Sequence, residues 1–143
     1  MNRLASEVED IVKHFTAAMP GIRLRYVSDM TTAQSLAAPS IVVSTIPDYP
    51  PSEPGEFLCW ELCKAILEKA GKGLLVDMCY MPLPETRLVN AAKKTGWSTI
   101  LRTEVLVRVC VAQQNLWTER LPNQQGVSEA IAAITQSRDA ANL

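Results

Sequence analysis

The stretch GLLVDMCYMPLPETRL, residues 73–88, decides the fold. Leu74, Leu75 and Val76 form a continuous apolar run, the pattern of a strand covered on both faces. The strand is expected over residues 74–79 (LLVDMC), and Tyr80 stands among loop residues before Pro84 opens a helix. Strand-to-helix corners of this kind are the repeating unit of α/β proteins, and small molecules bind at them.

The same alternation extends in both directions. Residues 40–46 (SIVVSTI) are a β-branched run that reads as another covered strand. Residues 22–28 (IRLRYVS) alternate apolar and polar, which predicts a strand with one wet face. Residues 97–102 (WSTILR) read as a short strand. Between these lie helical patterns. Val8, Ile11, Val12 and Phe15 follow a Ser6–Glu9 capping box. Leu58, Leu62, Cys63, Ile66 and Leu67 share one face of a helix over 57–73. Residues 84–96 enter at Pro84 and stop at Gly96, with Lys93 and Lys94 in the last turn. Residues 103–119 are apolar over most of a helical circumference, and their length outweighs their valines. A weaker helix closes the chain. Residues 31–39 read as a short helix or turn. Four prolines within residues 47–56 predict an irregular loop.

Strands alternating with helices call for a parallel sheet with helices on its faces. The expectation is α/β: a three-layer α/β/α domain with a mainly parallel sheet, one domain over residues 1–143, and an incomplete Rossmann-like unit.

Composition narrows the function classes. The chain has 143 residues, 48% of them hydrophobic and 20% charged, with a net charge of −1. That balance suits a globular domain and gives no general attraction to nucleic acid or anionic lipid. Direct nucleic-acid contact is not expected. No apolar run approaches the roughly 20 residues that span a bilayer, and the acidic, amphipathic first residues are unlike a leader peptide. The expected location is nucleus or cytoplasm. The four cysteines, Cys59, Cys63, Cys79 and Cys110, read as buried, reduced thiols. Cys59 and Cys63 stand one helical turn apart, a spacing that does not favour a disulfide. No metal site is expected.

Several engines are missing. The sequence has no G-x-G-x-x-G, no P-loop and no G-x-S-x-G, and none of its six glycines is expected to open a helix after a buried strand. Read from residues alone, this is an α/β sheet without evident catalytic machinery.

Residues 77–117 nevertheless carry a pattern. Asp77, Tyr80 and Pro82 form D-x-x-Y-x-P, followed by Thr86 before a helix, Gly96-Trp97, Leu106-Val107, and Leu116-Trp117. This resembles the nucleotide-binding part of shikimate and quinate dehydrogenases. Residues 40–47 resemble the family's strand ending in Asn-x-x-Pro, and Asn2-Arg3 resembles the Asn-Arg that holds the 2′-phosphate of NADP. The resemblance runs from residue 2 to about residue 121. Where the family has Asn, Gly and Gln, this chain has Ser44, Arg102 and Val109, and Leu4 replaces a Thr. An arginine at 102 would crowd the space where the glycine lets backbone approach the nicotinamide. The family's glycine loop and its catalytic Lys and Asp would precede residue 1.

Retained scaffold with lost ligands is similar to the dehydrogenase-like part of the fungal quinate repressors. That resemblance implies a non-catalytic, regulatory role in repressing quinate catabolism. The domain would sense a quinate- or shikimate-type metabolite, contact a transcription activator protein, or both. It implies no cofactor. The alternative is an NADP-binding fragment of an active shikimate or quinate dehydrogenase. Tyr80, Asp77 and Ser44 are then the vestigial ligand residues, and Asn2 and Arg3 the vestigial cofactor residues. Tyr80 either bonds a quinate-like ligand or packs with a wet hydroxyl. Asp77 either orients that site or caps a helix. Arg108 within an apolar helix needs a salt bridge or an interface, and Arg108 with Val109 marks the candidate interface. The three tryptophans read as core. Without the family's first strands, the sheet edges would close either by direct pairing of 22–28 with 40–46 or through a homodimer.

Overall fold

The computed structural model describes residues 5–79, 85–121 and 123–141. Helix α1 spans Ala5–Ala18 and α2 Met30–Ser35. Strand β1 is Ile41–Ser44, helix α3 Pro54–Leu67, strand β2 Leu74–Asp77 and helix α4 Arg87–Lys94. Strand β3 is Ser98–Ile100, followed by α5 (Arg102–Thr118) and α6 (Gln124–Ala141). The sheet is parallel, in the order β1-β2-β3, with Ser44 beside Asp77 and Val76 beside Ile100. The expected α/β class with a parallel sheet is what forms.

The core lies on one face of β2. Leu75 packs with Leu67 of α3, Leu88, Val89 and Ala92 of α4, and Trp97, while Val42, Trp60 and Cys63 close its margin. Val42 and Leu75 are register partners, so their side chains leave the same face. The Trp97 indole N–H donates to the Leu67 carbonyl at 2.9 Å, tying the end of α3 to the start of β3. Helix α5 packs against β2, and α6 packs on α5.

Gly73 lies against the Ser40 backbone where the chain enters β1 and β2. A methyl group there would stand 2.2 Å from the Ser40 carbonyl oxygen, and the Leu74 N–H donates to that oxygen at 3.0 Å. Backbone cannot give way as a flexible side chain can. Gly73→Ala is therefore expected to destabilise the fold by about 3 kcal/mol, the upper range for overpacking. Gly55→Ala meets open space inside α3 and should shift the urea midpoint slightly upward, by less than about 1 kcal/mol. Equal effects of the two substitutions would refute this account.

Several expectations are corrected. Residues 22–28 form no strand: they pair with nothing in the sheet, and Ile22 and Leu24 are exposed. A strand is held by its neighbour's hydrogen bonds, so an alternating pattern without an adjacent strand stays irregular. Direct closure of the sheet by 22–28 does not occur, and β1 remains an edge strand with Ile41 61% and Val43 57% exposed. Helix α1 (Ala5–Ala18) forms where the periodicity placed it, but Ser6 lies within the helix and not at its cap. None of its residues from Ser6 to Ala18 is buried. Helix α3 starts three residues before the expected Phe57, because Pro54 suits its first turn. The Glu56 carboxylate accepts from the Ser52 N–H at 2.9 Å and the Ser52 hydroxyl at 3.0 Å. It ends at Leu67, six residues before the expected Gly73. Trp97 is core and Trp60 is half-buried, but Trp117 is 76% exposed.

Candidate functional site

The C-terminal ends of β1 and β2 bring Ser44 and Asp77 side by side. Beyond them opens a cavity of about 690 Å³, walled by Ser44, Asp48, Tyr26, Trp60, Cys59 and Arg87 among others. It lies in the crevice outside the strand ends, where ligands of open α/β sheets bind.

Asp77 is almost fully buried. Its two carboxylate oxygens accept from the Thr86 hydroxyl at 2.5 Å and the Cys79 N–H at 3.1 Å. The Thr86 oxygen in turn accepts from the Val89 N–H at 3.1 Å and caps α4. Asp77 thus holds the cap of α4 at one remove rather than capping it directly. Ser44 is buried, and its carbonyl accepts from the Met78 N–H at 2.9 Å.

A second acid, not singled out by sequence reasoning, shapes the cleft. Asp48 accepts from the Arg87 backbone N–H at 3.1 Å and from its guanidinium Nε at 2.8 Å. The same guanidinium donates to the Tyr49 carbonyl at 2.5 Å and lies 5.2 Å from the Trp60 ring centroid. One signal was available. Arg87 opens a helix, where the helix dipole disfavours a cation. An acid had to stand nearby, and Asp48 supplies it from the proline-rich loop.

Thiols line the same region. The Cys79 thiol donates to the Ile46 carbonyl at 2.7 Å. Burial pushes its pKa up, and the charges of Asp77 and Asp48 push it further. A hydrogen bond with Cys63 lowers the Cys59 thiol to about 7, and the same contact, with burial, raises Cys63. The expectation of four buried thiols is corrected: Cys59, Cys63 and Cys79 are half-buried and Cys110 is exposed.

The remaining sequence-derived candidates fall elsewhere. Tyr80, Asn2 and Arg3 lie outside the described residues, as does Pro84. Arg108 is on the surface of α5, with its guanidinium 2.7 Å from the Glu104 carboxylate one turn earlier, and Val109 beside it is exposed. Exposed pairs of that kind contribute about 0.5 kcal/mol or less. Neither residue reaches the cleft.

Two fit tests follow from the geometry. Gly55 sits in the first turn of α3, after β1, and so is a glycine near a helix start that sequence reading had placed in a loop. That end carries Glu53 and Glu56, and the Glu56 carboxylate already occupies the position an anion would take. A dinucleotide pyrophosphate does not fit there. Among the described residues no group of three or more His, Cys, Asp or Glu is placed to hold a metal. Among the same residues no helix is long and apolar enough to cross a membrane.

No family model matches the chain. Over 141 residues, 94% of the chain, it is 34% identical to the quinate dehydrogenase of Emericella nidulans. Among solved structures it superposes on the dehydroquinate dehydratase and shikimate dehydrogenase from S. pombe AroM with a TM-score of 0.55. That match has 30% identity and covers 71% of the chain. The chain spans 43% of the length of the first relative and 18% of the second. By sequence and by fold, this chain is similar to shikimate/quinate dehydrogenases, and its parallel sheet with flanking helices is of the Rossmann type.

Proposed function

We propose that the domain is regulatory and non-catalytic. It holds a quinate- or shikimate-type hydroxy acid in the cleft beyond β1 and β2 and, as part of a repressor of quinate catabolism, contacts a transcription activator protein. Nucleus or cytoplasm is the matching location. The observation that carries the non-catalytic reading is the inward pairing of the polar groups at the strand ends. Asp77 is committed to Thr86 and the Cys79 amide, and Asp48 to Arg87. A general acid or base needs a free edge aimed at the substrate, and these carboxylates spend theirs on the scaffold. Regulation by such a domain works by population shift: the ligand favours one of two states in proportion to its differential affinity. The open Ile41/Val43 face and the edge of β1 support a homodimer. A single monomeric peak in light scattering at micromolar concentration would remove that part.

A second reading is supported by the 34% identity to a quinate dehydrogenase: the chain is an NADP-binding segment of an active enzyme. Calorimetric titration of the chain and of any longer parent with NADP(H), quinate and shikimate separates the two. The regulatory reading expects a hydroxy acid to bind without NADP and without being oxidised. Tight NADP binding, or NADP-dependent oxidation of quinate, puts the dehydrogenase reading first.

A further inference from the structure

Two polar groups at the cleft are not spent on the scaffold. The first is on Ser44, at the end of β1. Ser44 is 4% exposed and lines the 690 Å³ cavity, and its hydroxyl has no hydrogen-bond partner among the described residues. No fully enclosed side-chain oxygen or nitrogen among those residues lacks a partner, so the Ser44 oxygen reaches the cleft surface. A buried hydroxyl that bonds nothing is costly, and the cleft is the side from which a partner comes.

The second group is on Arg87. A guanidinium carries five N–H groups. Its Nε donates to Asp48 and one Nη2 N–H to the Tyr49 carbonyl. That leaves Nη1 and the rest of Nη2 without an acceptor among the described residues. These contacts, with the Trp60 ring centroid 5.2 Å away, fix the plane of the group before any ligand arrives, so little rotamer freedom is lost on binding. Arg87 is also the one cation among the described residues that line the cleft. A common frame holds both groups: Ser44 stands beside Asp77 in the sheet, and Asp77 holds Thr86, the chain neighbour of Arg87.

We propose that Arg87 is the carboxylate-binding residue of the cleft and that Ser44 pairs with a hydroxyl of the same ligand, so that the site selects a hydroxylated monocarboxylate. This rests on the hydroxy-acid reading of the cleft and adds which groups recognise the acid and what charge they accept. A planar guanidinium with free N–H groups along one edge matches the two oxygens of a carboxylate. The charge limit comes from the walls. Asp48, Glu53 and Glu56 line the same cavity. Asp48 already uses part of the Arg87 charge, and the two glutamates oppose a second negative charge on the ligand. A phosphorylated ligand is therefore disfavoured.

Calorimetric titration of the full chain with quinate, quinate methyl ester, shikimate and a phosphate monoester of shikimate tests this. Quinate should bind at least about tenfold more tightly than its ester, the loss expected for a hydrogen bond to a charged group. Shikimate should bind more tightly than its phosphate ester. Ser44→Ala removes one oxygen and should weaken quinate about three- to tenfold. The double variant Asp48→Asn with Arg87→Gln takes away both charges together, so no buried acid is left unpaired, and in it acid and ester should bind alike. The wild-type comparisons need no variant, so poor folding of the double variant does not shield the inference. Equal affinity of the wild-type chain for quinate and its ester, or tighter binding of the phosphate ester, overturns the inference and leaves the hydroxy-acid reading standing. An unchanged acid-to-ester ratio in the folded double variant does the same. If the wild-type chain binds none of the four, the hydroxy-acid reading itself falls, and the inference with it.

Discussion

Trp97→Ala is expected to cost about 4 kcal/mol of stability, within the range for removing a buried Trp side chain. Trp97 is 4% exposed and packs with Leu67, Leu75 and Ala92. Its loss leaves a cavity under the centre of a small sheet, and the neighbouring backbone has little room to collapse into it. A polar term adds to the apolar one. The Leu67 carbonyl, which accepts the indole N–H at 2.9 Å, loses its side-chain partner near the end of α3. For a chain of this size, 1 kcal/mol is worth about 4 °C in Tm, so a fall of roughly 15 °C is expected in thermal unfolding followed by circular dichroism. Trp97→Phe separates the two terms. It keeps much of the ring volume and should lose only about 1–2 kcal/mol, mainly for the unpaired carbonyl. If Trp97→Ala moved Tm by only a few degrees, the core would not be centred on this residue.

Asp77→Ala should be nearly as damaging, by about 3 kcal/mol. The carboxylate holds the Thr86 hydroxyl and the Cys79 N–H, and hydrogen bonds to charged groups contribute about 1.5–3 kcal/mol each before the cost of burying the charge is set against them. Removing it leaves buried donors without an acceptor and loosens the cap of α4. Thr86→Ala should lose about 1–2 kcal/mol, the range for an N-cap. Because both changes break one chain of bonds, the double variant should fall short of the sum by about 1 kcal/mol or more. The same cycle bears on function. If Asp77→Ala left stability intact but abolished binding of a hydroxy acid, the carboxylate would be a ligand group, and the scaffold role argued for it here would be wrong.

The elements legible in the sequence are those whose pattern is local. The strand at LLVD (expected over 74–79, ending two residues earlier at Asp77), the Gly96 stop and the Leu62–Leu67 helical face were legible, because continuous apolar strands and amphipathic helices carry their period in the chain itself. The corner with Asp77 and Ser44 was also legible, and the two residues do come together. The Asp48–Arg87 contact was not, because its partners are 39 residues apart and one lies in a proline-rich loop with no period to read. The strand expected over 22–28 failed for the converse reason. Its alternation is local, but a strand exists only through its neighbour.

The sequence by itself determined that this chain folds as α/β, and that a strand-to-helix corner falls within residues 73–88. Those features rest on hydrophobic period and turn chemistry, which act over a few residues. Tertiary structure decided which polar groups stay free for a ligand. It spends Asp77 on Thr86, spends Asp48 on Arg87, and leaves the Ser44 hydroxyl at the cleft. The reason is physical: a buried charge must find a partner in three dimensions, and local pattern does not say which residue, such as one 39 positions away, that partner is.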